Sequence, residues 1–72
     1  MDINEIVKLR KVGKLEEALL RMKEIYLNNP ENPEYNYQLA WCNDVLGNER
    51  EAIPLYKRAI DLGIENSWRM FI

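Results

Sequence analysis

Apolar residues recur along this chain at helical spacing, and the same stretch of pattern is written twice. Leu15, Ala18, Leu19, Met22, Ile25 and Tyr26 fall at i, +3, +4, +7, +10 and +11, the stripe of an amphipathic helix. Ala52, Ile53, Tyr56, Ala59 and Ile60 form the corresponding stripe further on. Ahead of the first stripe, Asp2 with Glu5 three residues later reads as a capping box. It opens a helix that reaches about Val12, and Gly13 breaks it. Asn28-Asn29-Pro30 ends the second helix. Asn32 and Pro33 are a cap and a first-turn proline for a third, which reaches about Leu46. Gly47-Asn48 turns the chain into the fourth, Gly63 is placed to close it in the left-handed conformation, and Asn66-Ser67 can cap a fifth start. Pro54 falls within about two turns of its helix start, where it is expected to bend the axis. No segment alternates with period two, so the expected class is all-α.

Sliding the chain along itself gives one dominant offset. Gly13 pairs with Gly47, Glu17 with Glu51, Ala18 with Ala52, Leu19 with Ile53, Lys23 with Lys57 and Tyr26 with Ile60, each 34 residues apart. A period of this size signals a repeat architecture. The chain reads as a single domain over 1–72: one helix–turn–helix repeat over 1–32, a second over 33–66, and a short fifth helical stub over 67–72.

Period, helices and residue pattern together resemble the tetratricopeptide repeat, whose signature runs W-x2-L-G-x2-Y, then A-x3-F-x2-A, then P. The first repeat supplies Ile6, Leu9, Ala18, Met22 and Pro30 at signature places, with Gly13 at the turn; the second supplies Leu39, Ala40, Ala52, Tyr56 and Ala59, with Gly47 at the turn. Ala40 and Ala52 are small enough to let two helices approach closely. Asn36 and Asn43 stand where the family places Trp and Tyr, which makes the second hairpin's seam more polar, and Ile64 stands in place of Pro. The resemblance implies an α–α superhelix and a scaffold that grips peptides or helices in a concave groove lined by each repeat's first helix. A subclass clamps a peptide's terminal carboxylate with Lys, Arg and Asn. The matching positions here are Ile3, Val7, Gln38, Trp68 and Ile72, so a clamp of that kind is not expected.

On the third helix, Tyr35, Leu39, Cys42 and Leu46 form one stripe that should pack on the preceding hairpin. Tyr37 and Trp41 lie roughly 100–140° from its centre, and in the family's geometry they face the groove. Ile3 and Val7 are their equivalents one repeat earlier; Trp68 and Phe71 are their neighbours one repeat later. The expected groove is thus apolar and aromatic, suited to a hydrophobic peptide or helix.

Composition narrows the chemistry. Net charge is −2 with 31% charged residues, which gives no general attraction to nucleic acid or membrane, and no stretch approaches a membrane span. Lys8, Arg10, Lys11 and Lys14 cluster in sequence but not in helical phase, Arg10 lying about 160° from Lys8, and are read as solvated surface. There is no histidine and one cysteine, so neither a disulfide nor a metal cluster is expected. Cys42 falls on the buried stripe and reads as a small core residue. Glu16-Glu17 and Glu49-Glu51 are helix-start charges rather than an acid/base pair, and Glu17–Arg21 is a surface i,i+4 pair. No phosphate loop or catalytic set is present. No enzyme activity and no cofactor are expected, and a lone thiol with no export signal points to the cytoplasm.

The two ends differ. The first repeat's outer face is Met1, Glu5, Lys8 and Val12, charged as a face that meets water should be. Trp68, Met70, Phe71 and Ile72 leave an apolar end, to be covered either by further repeats of a longer array or by another copy of the chain. The leading expectation is a protein-binding module. The alternative is a self-assembling unit, a homodimer joined through that end. A third reading, a helical-repeat nucleic-acid binder, has charge against it.

Overall fold

Gly13 and Gly47, one repeat apart, take the same left-handed backbone, with φ of +83° and +82°. A side chain there would press its Cβ on the following carbonyl, which is why glycine holds the place. The surrounding bonds are those of a Schellman motif. Gly13 N–H donates to the Arg10 carbonyl at 3.1 Å and Lys14 N–H to that of Leu9 at 2.8 Å; Gly47 N–H donates to Asp44 at 3.0 Å and Asn48 N–H to Asn43 at 2.8 Å. Gly63, with φ of +90°, ends the last helix in the expected way, Ile64 N–H reaching the Ala59 carbonyl at 3.0 Å.

The computed structural model describes residues 3–64. They form α1 (Ile3–Lys11), α2 (Leu15–Asn28), α3 (Pro33–Val45) and α4 (Glu49–Asp61), with no strand among the described residues. The Asp2 cap, the fifth start at Asn66-Ser67 and the stub over 67–72 lie outside them. Each helix packs on the next in the chain, α1 on α2, α2 on α3 and α3 on α4, which is an all-α, tetratricopeptide-like stack. Among the described residues no helix is long and apolar enough to cross a membrane.

The α2–α3 connection uses asparagines. The Asn32 side chain accepts the Tyr35 N–H at 3.1 Å as the cap of α3, with Pro33 at the first helical position. Asn36 then donates its amide to the carbonyls of Pro30 and Asn32, both at 2.9 Å. The residue that replaces the family's tryptophan is thus a tie holding the loop to the helix. Asn43 likewise bonds locally, to the Leu39 carbonyl at 3.0 Å and to the Asn48 amide at 3.4 Å.

Ile6, Ala18, Met22, Leu39 and Cys42 form the buried cluster, with Leu9, Leu19, Ile25, Tyr26, Tyr35 and Leu55 packed around it. Ala40 on α3 and Ala52 and Ala59 on α4 are buried as well, and these two helices share the most extensive seam. The α4 stripe is unevenly covered. Ala52 and Ala59 are buried, Leu55 packs on the core and Tyr56 is half-buried, but Ile53 and Ile60 are 52% and 40% exposed. Their counterparts in α2, Leu19 and Tyr26, are half-buried against the core cluster; α2 packs on both α1 and α3, whereas among the described elements α4 packs chiefly on α3. Helix α4 runs on through Pro54, which leaves the Arg50 carbonyl without its helical donor.

Candidate binding groove

Residues three and four apart share a helix face, and on α3 this gathers Glu34, Tyr37, Gln38 and Trp41. The rings of Tyr37 and Trp41 lie 6.1 Å apart, tilted by 40°. Tyr37 also meets Tyr56 of α4, at 5.8 Å and 50°, and the Tyr56 hydroxyl donates to the Asp44 carboxylate at 3.2 Å. The aromatic pair named from the sequence is therefore brought together and extended by a third ring. Trp41 keeps 39% of its surface exposed and Tyr37 is half-buried.

The other wall comes from α1. Arg10, in its last turn, sends its guanidinium across to α3, where the central carbon sits 3.9 Å over the Trp41 ring, a cation–π stack. One terminal nitrogen, Nη1, donates to Gln38 Oε1 at 2.9 Å and to Cys42 Sγ at 3.7 Å. Gln38 in turn donates from Nε2 to Glu34 Oε1 at 3.0 Å. The second nitrogen, Nη2, is buried and has no hydrogen-bond partner among the described residues. A buried donor in that state costs on the order of 1–3 kcal/mol. Arg10 is thus not part of a solvated basic surface, as its neighbours Lys8, Lys11 and Lys14 are; it is half-buried and committed to contacts with α3.

Electrostatics follow the packing. Burial, reinforced by the Glu34 carboxylate and opposed by Arg10, raises the Tyr37 phenol above its ordinary value. Burial and the Asp44 carboxylate raise Tyr56 further. The Cys42 thiol is pushed up by burial, against the hydrogen bond and charge of Arg10, so it stays protonated and a poor nucleophile. Cys42 is buried in the core cluster, the position read from its stripe. No cluster of metal-ligating side chains is found among the described residues.

Of the remaining expected groove residues, Ile3 and Val7 are half-buried on α1, Ile3 packing partly against the core. Trp68 and Phe71, and with them Met70 and Ile72, lie outside the described residues. Sequence reasoning placed Gln38 at a clamp position but did not foresee that Arg10, Glu34 and Tyr56 would join the Tyr37–Trp41 pair. A signal for Arg10 was present: Ile3, Val7 and Arg10 fall at i, +4 and +7 on one face of α1.

Comparison with known proteins agrees with the repeat fold. A family model described as "Tetratrico peptide repeat" matches residues 33–71. Over 60 residues the chain is 35% identical to an aspartyl/asparaginyl beta-hydroxylase of Homo sapiens and 33% identical to that of Mus musculus. The aligned stretch takes in 83% of this chain but 8% of either hydroxylase, so the chain spans a small fraction of the length of these relatives. No solved structure matches it.

Proposed function

The chain belongs to the tetratricopeptide-repeat family, a family of protein–protein interaction scaffolds, and from that premise we propose that it is a binding module whose groove grips a hydrophobic peptide or helix. In this reading the repeats run over 1–32 and 33–66 with a helical stub over 67–72, and the groove is Ile3, Val7, Tyr37 and Trp41, continued by Trp68 and Phe71. The observation that carries it is the state of Trp41. Its ring packs against both Arg10 and Tyr37 yet is more than one-third exposed. A large ring fixed in place before binding loses little entropy when a partner covers it, which is how tryptophan dominates interfaces.

Trp41→Ala tests the proposal. It should weaken a bound peptide by more than about 1 kcal/mol and leave most of the stability intact. A destabilisation of about 3–5 kcal/mol would instead mark Trp41 as a core residue and end the groove reading.

The hydroxylase relatives do not turn this chain into an enzyme in our reading. The likeness is confined to 8% of their length. A reducing cytoplasm suits the lone buried thiol. Nucleic acid is disfavoured by the net charge of −2 and by the Glu34 and Asp44 carboxylates beside the rings; RNA binding at low salt that weakens steeply with added salt would reverse this judgement.

One observation favours a second reading, self-association into a homodimer. Ile53 and Ile60 leave an apolar row exposed on α4, and Trp68, Met70, Phe71 and Ile72 were expected from the sequence to meet another copy. Sedimentation equilibrium across a concentration series tests it, and a single monomeric mass throughout would rule it out.

A further inference from the structure

Glu34, Tyr37, Trp41 and Asp44 fall at i, +3, +7 and +10 of α3, within about 80° of arc on one face of the helix. Two rings therefore lie between two carboxylates, which stand about 15 Å apart along the axis at 1.5 Å per residue. Each carboxylate is engaged through one oxygen. Glu34 Oε1 accepts the Gln38 amide at 3.0 Å, and Asp44 Oδ2 accepts the Tyr56 hydroxyl at 3.2 Å. A carboxylate can accept about four hydrogen bonds, so both keep capacity. That capacity is open to solvent: Asp44 is exposed, and the second oxygen of half-buried Glu34 is not among the buried atoms that lack a partner. No cation pairs with either. The ion pair found among the described residues is Glu17–Arg21, and Arg10 is turned to Trp41, Gln38 and Cys42.

Resting on the groove reading above, we propose that this face recognises a basic, hydrophobic segment. A large apolar side chain of the partner lies on the exposed part of Trp41, and a lysine or arginine on either side of it meets Glu34 at one end of the stripe and Asp44 at the other. Long basic side chains suit the span, because their methylene stems can lie along the rings while the charged heads reach the carboxylates. The rings themselves attract cations, and Arg10 over Trp41 at 3.9 Å is that contact made within the chain. The Tyr37 and Tyr56 phenols, raised first by burial and then by these carboxylates, stay neutral. The face thus sets two negative charges against one half-buried guanidinium. An acidic segment would meet like charge at both ends of the stripe, which is how the face would reject it.

A random peptide library displayed on phage, panned against the immobilised full chain, tests this. The expected winners carry a large aliphatic or aromatic residue with Lys or Arg on both sides of it. Replacing both basic residues of a synthetic winner by glutamine should weaken it about tenfold by calorimetry. On the chain, Glu34→Gln with Asp44→Asn removes both charges and keeps an acceptor oxygen for Gln38 and for Tyr56. That double variant should weaken the basic peptide by a similar factor, and the peptide and chain changes together should cost little more than either alone. Circular dichroism melting checks the folding of the variant, and the glutamine peptide on the unmodified chain stands as a test even if the variant unfolds. Winners without basic residues, or basic and glutamine peptides of equal affinity, overturn this inference and leave the groove reading standing. Basic winners that bind the folded double variant as tightly as the parent place their cations elsewhere and overturn it too. Failure to enrich any peptide overturns both.

Discussion

Leu19 and Tyr26 of α2 stand one repeat ahead of Ile53 and Ile60 of α4, in the same phase of the same helix of the unit. The first pair packs around the core, whereas the second is 52% and 40% exposed. Side-chain chemistry does not separate them; all four carry a large apolar surface. The neighbours do. Helix α2 lies between α1 and α3, while α4 packs on α3. Apolar periodicity therefore selects a face of a helix, and burial of that face is a property of two elements together. The groove side repeats the lesson with charge. Arg10 and Asp44 are also 34 residues apart. Arg10 reaches forward onto the next repeat's Trp41 and Gln38, while Asp44 is held by Tyr56 of its own repeat.

The largest test of this contrast pairs Met22 with Tyr56, its counterpart one repeat on. Met22 is fully buried within the cluster shared by α1, α2 and α3. Met22→Ala should cost about 2–5 kcal/mol by urea denaturation, enough to unfold most of a chain this small. Tyr56→Ala should cost clearly less, because Tyr56 is half-buried and its bond to Asp44 is exposed. Equal losses would mean that the second repeat is as tightly enclosed as the first. Next come the turns. A Cβ at Gly13 or Gly47 meets nothing within 4 Å, so Gly13→Ala and Gly47→Ala each measure backbone strain alone. Both should lose about 1–2 kcal/mol, and a clear inequality between them would break the equivalence of the two turns.

Much of this was legible in the sequence because it is local. Helix spacing, the Asn32 cap and the glycine turns each rest on residues within about five positions of one another. Cys42 and Met22 were readable as core because each sits at the centre of its stripe. Ile53 and Ile60 were legible as members of a stripe, but how far each is covered is not written in α4, whose stripe matches that of α2. Arg10 escaped for a related reason. Its partners Gln38 and Cys42 are 28 and 32 residues away, and a charge among Lys8, Lys11 and Lys14 reads as surface until the approach of α1 to α3 is known. Asn36 was legible as a polar residue at a tryptophan place, but its bonds to the Pro30 and Asn32 carbonyls depend on the path of a loop.

A smaller effect should appear at alkaline pH, and it should belong to the second repeat. At the counterparts of Tyr37 and Tyr56 the first repeat has Ile3 and Met22, which do not titrate. Both tyrosines hold their protons more tightly folded than unfolded, chiefly through burial, with Glu34 and Asp44 adding to it. A raised folded-state value contributes stability that is fully present below the ordinary phenol value of 10.0. That stability is lost as pH rises further, because the unfolded chain ionises first. Tyr56→Phe should therefore move the alkaline unfolding midpoint upward, followed by circular dichroism from about pH 9 to 12. An unmoved midpoint would place the alkaline sensitivity outside this aromatic set.

The smallest expected change in intrinsic stability decides most about α4. In dilute solution Ile53→Ser and Ile60→Ser should each fall within about 0.5 kcal/mol of the parent, as exposed substitutions do. Leu19→Ser, on the covered face of α2, should lose about 1–2 kcal/mol. Concentration supplies the second axis. If the α4 row is where two copies meet, the parent's melting temperature rises with concentration, since dimerisation stabilises the folded state by mass action. The double serine variant should then melt at a temperature independent of concentration. A parent with no concentration dependence, and with stability unchanged by both serines, makes the row an exposed face and removes the self-association reading. Serines that cost as much as Leu19→Ser at every concentration would show instead that the chain covers α4 from within. The contrast between α2 and α4 would then narrow to the identity of the covering segment.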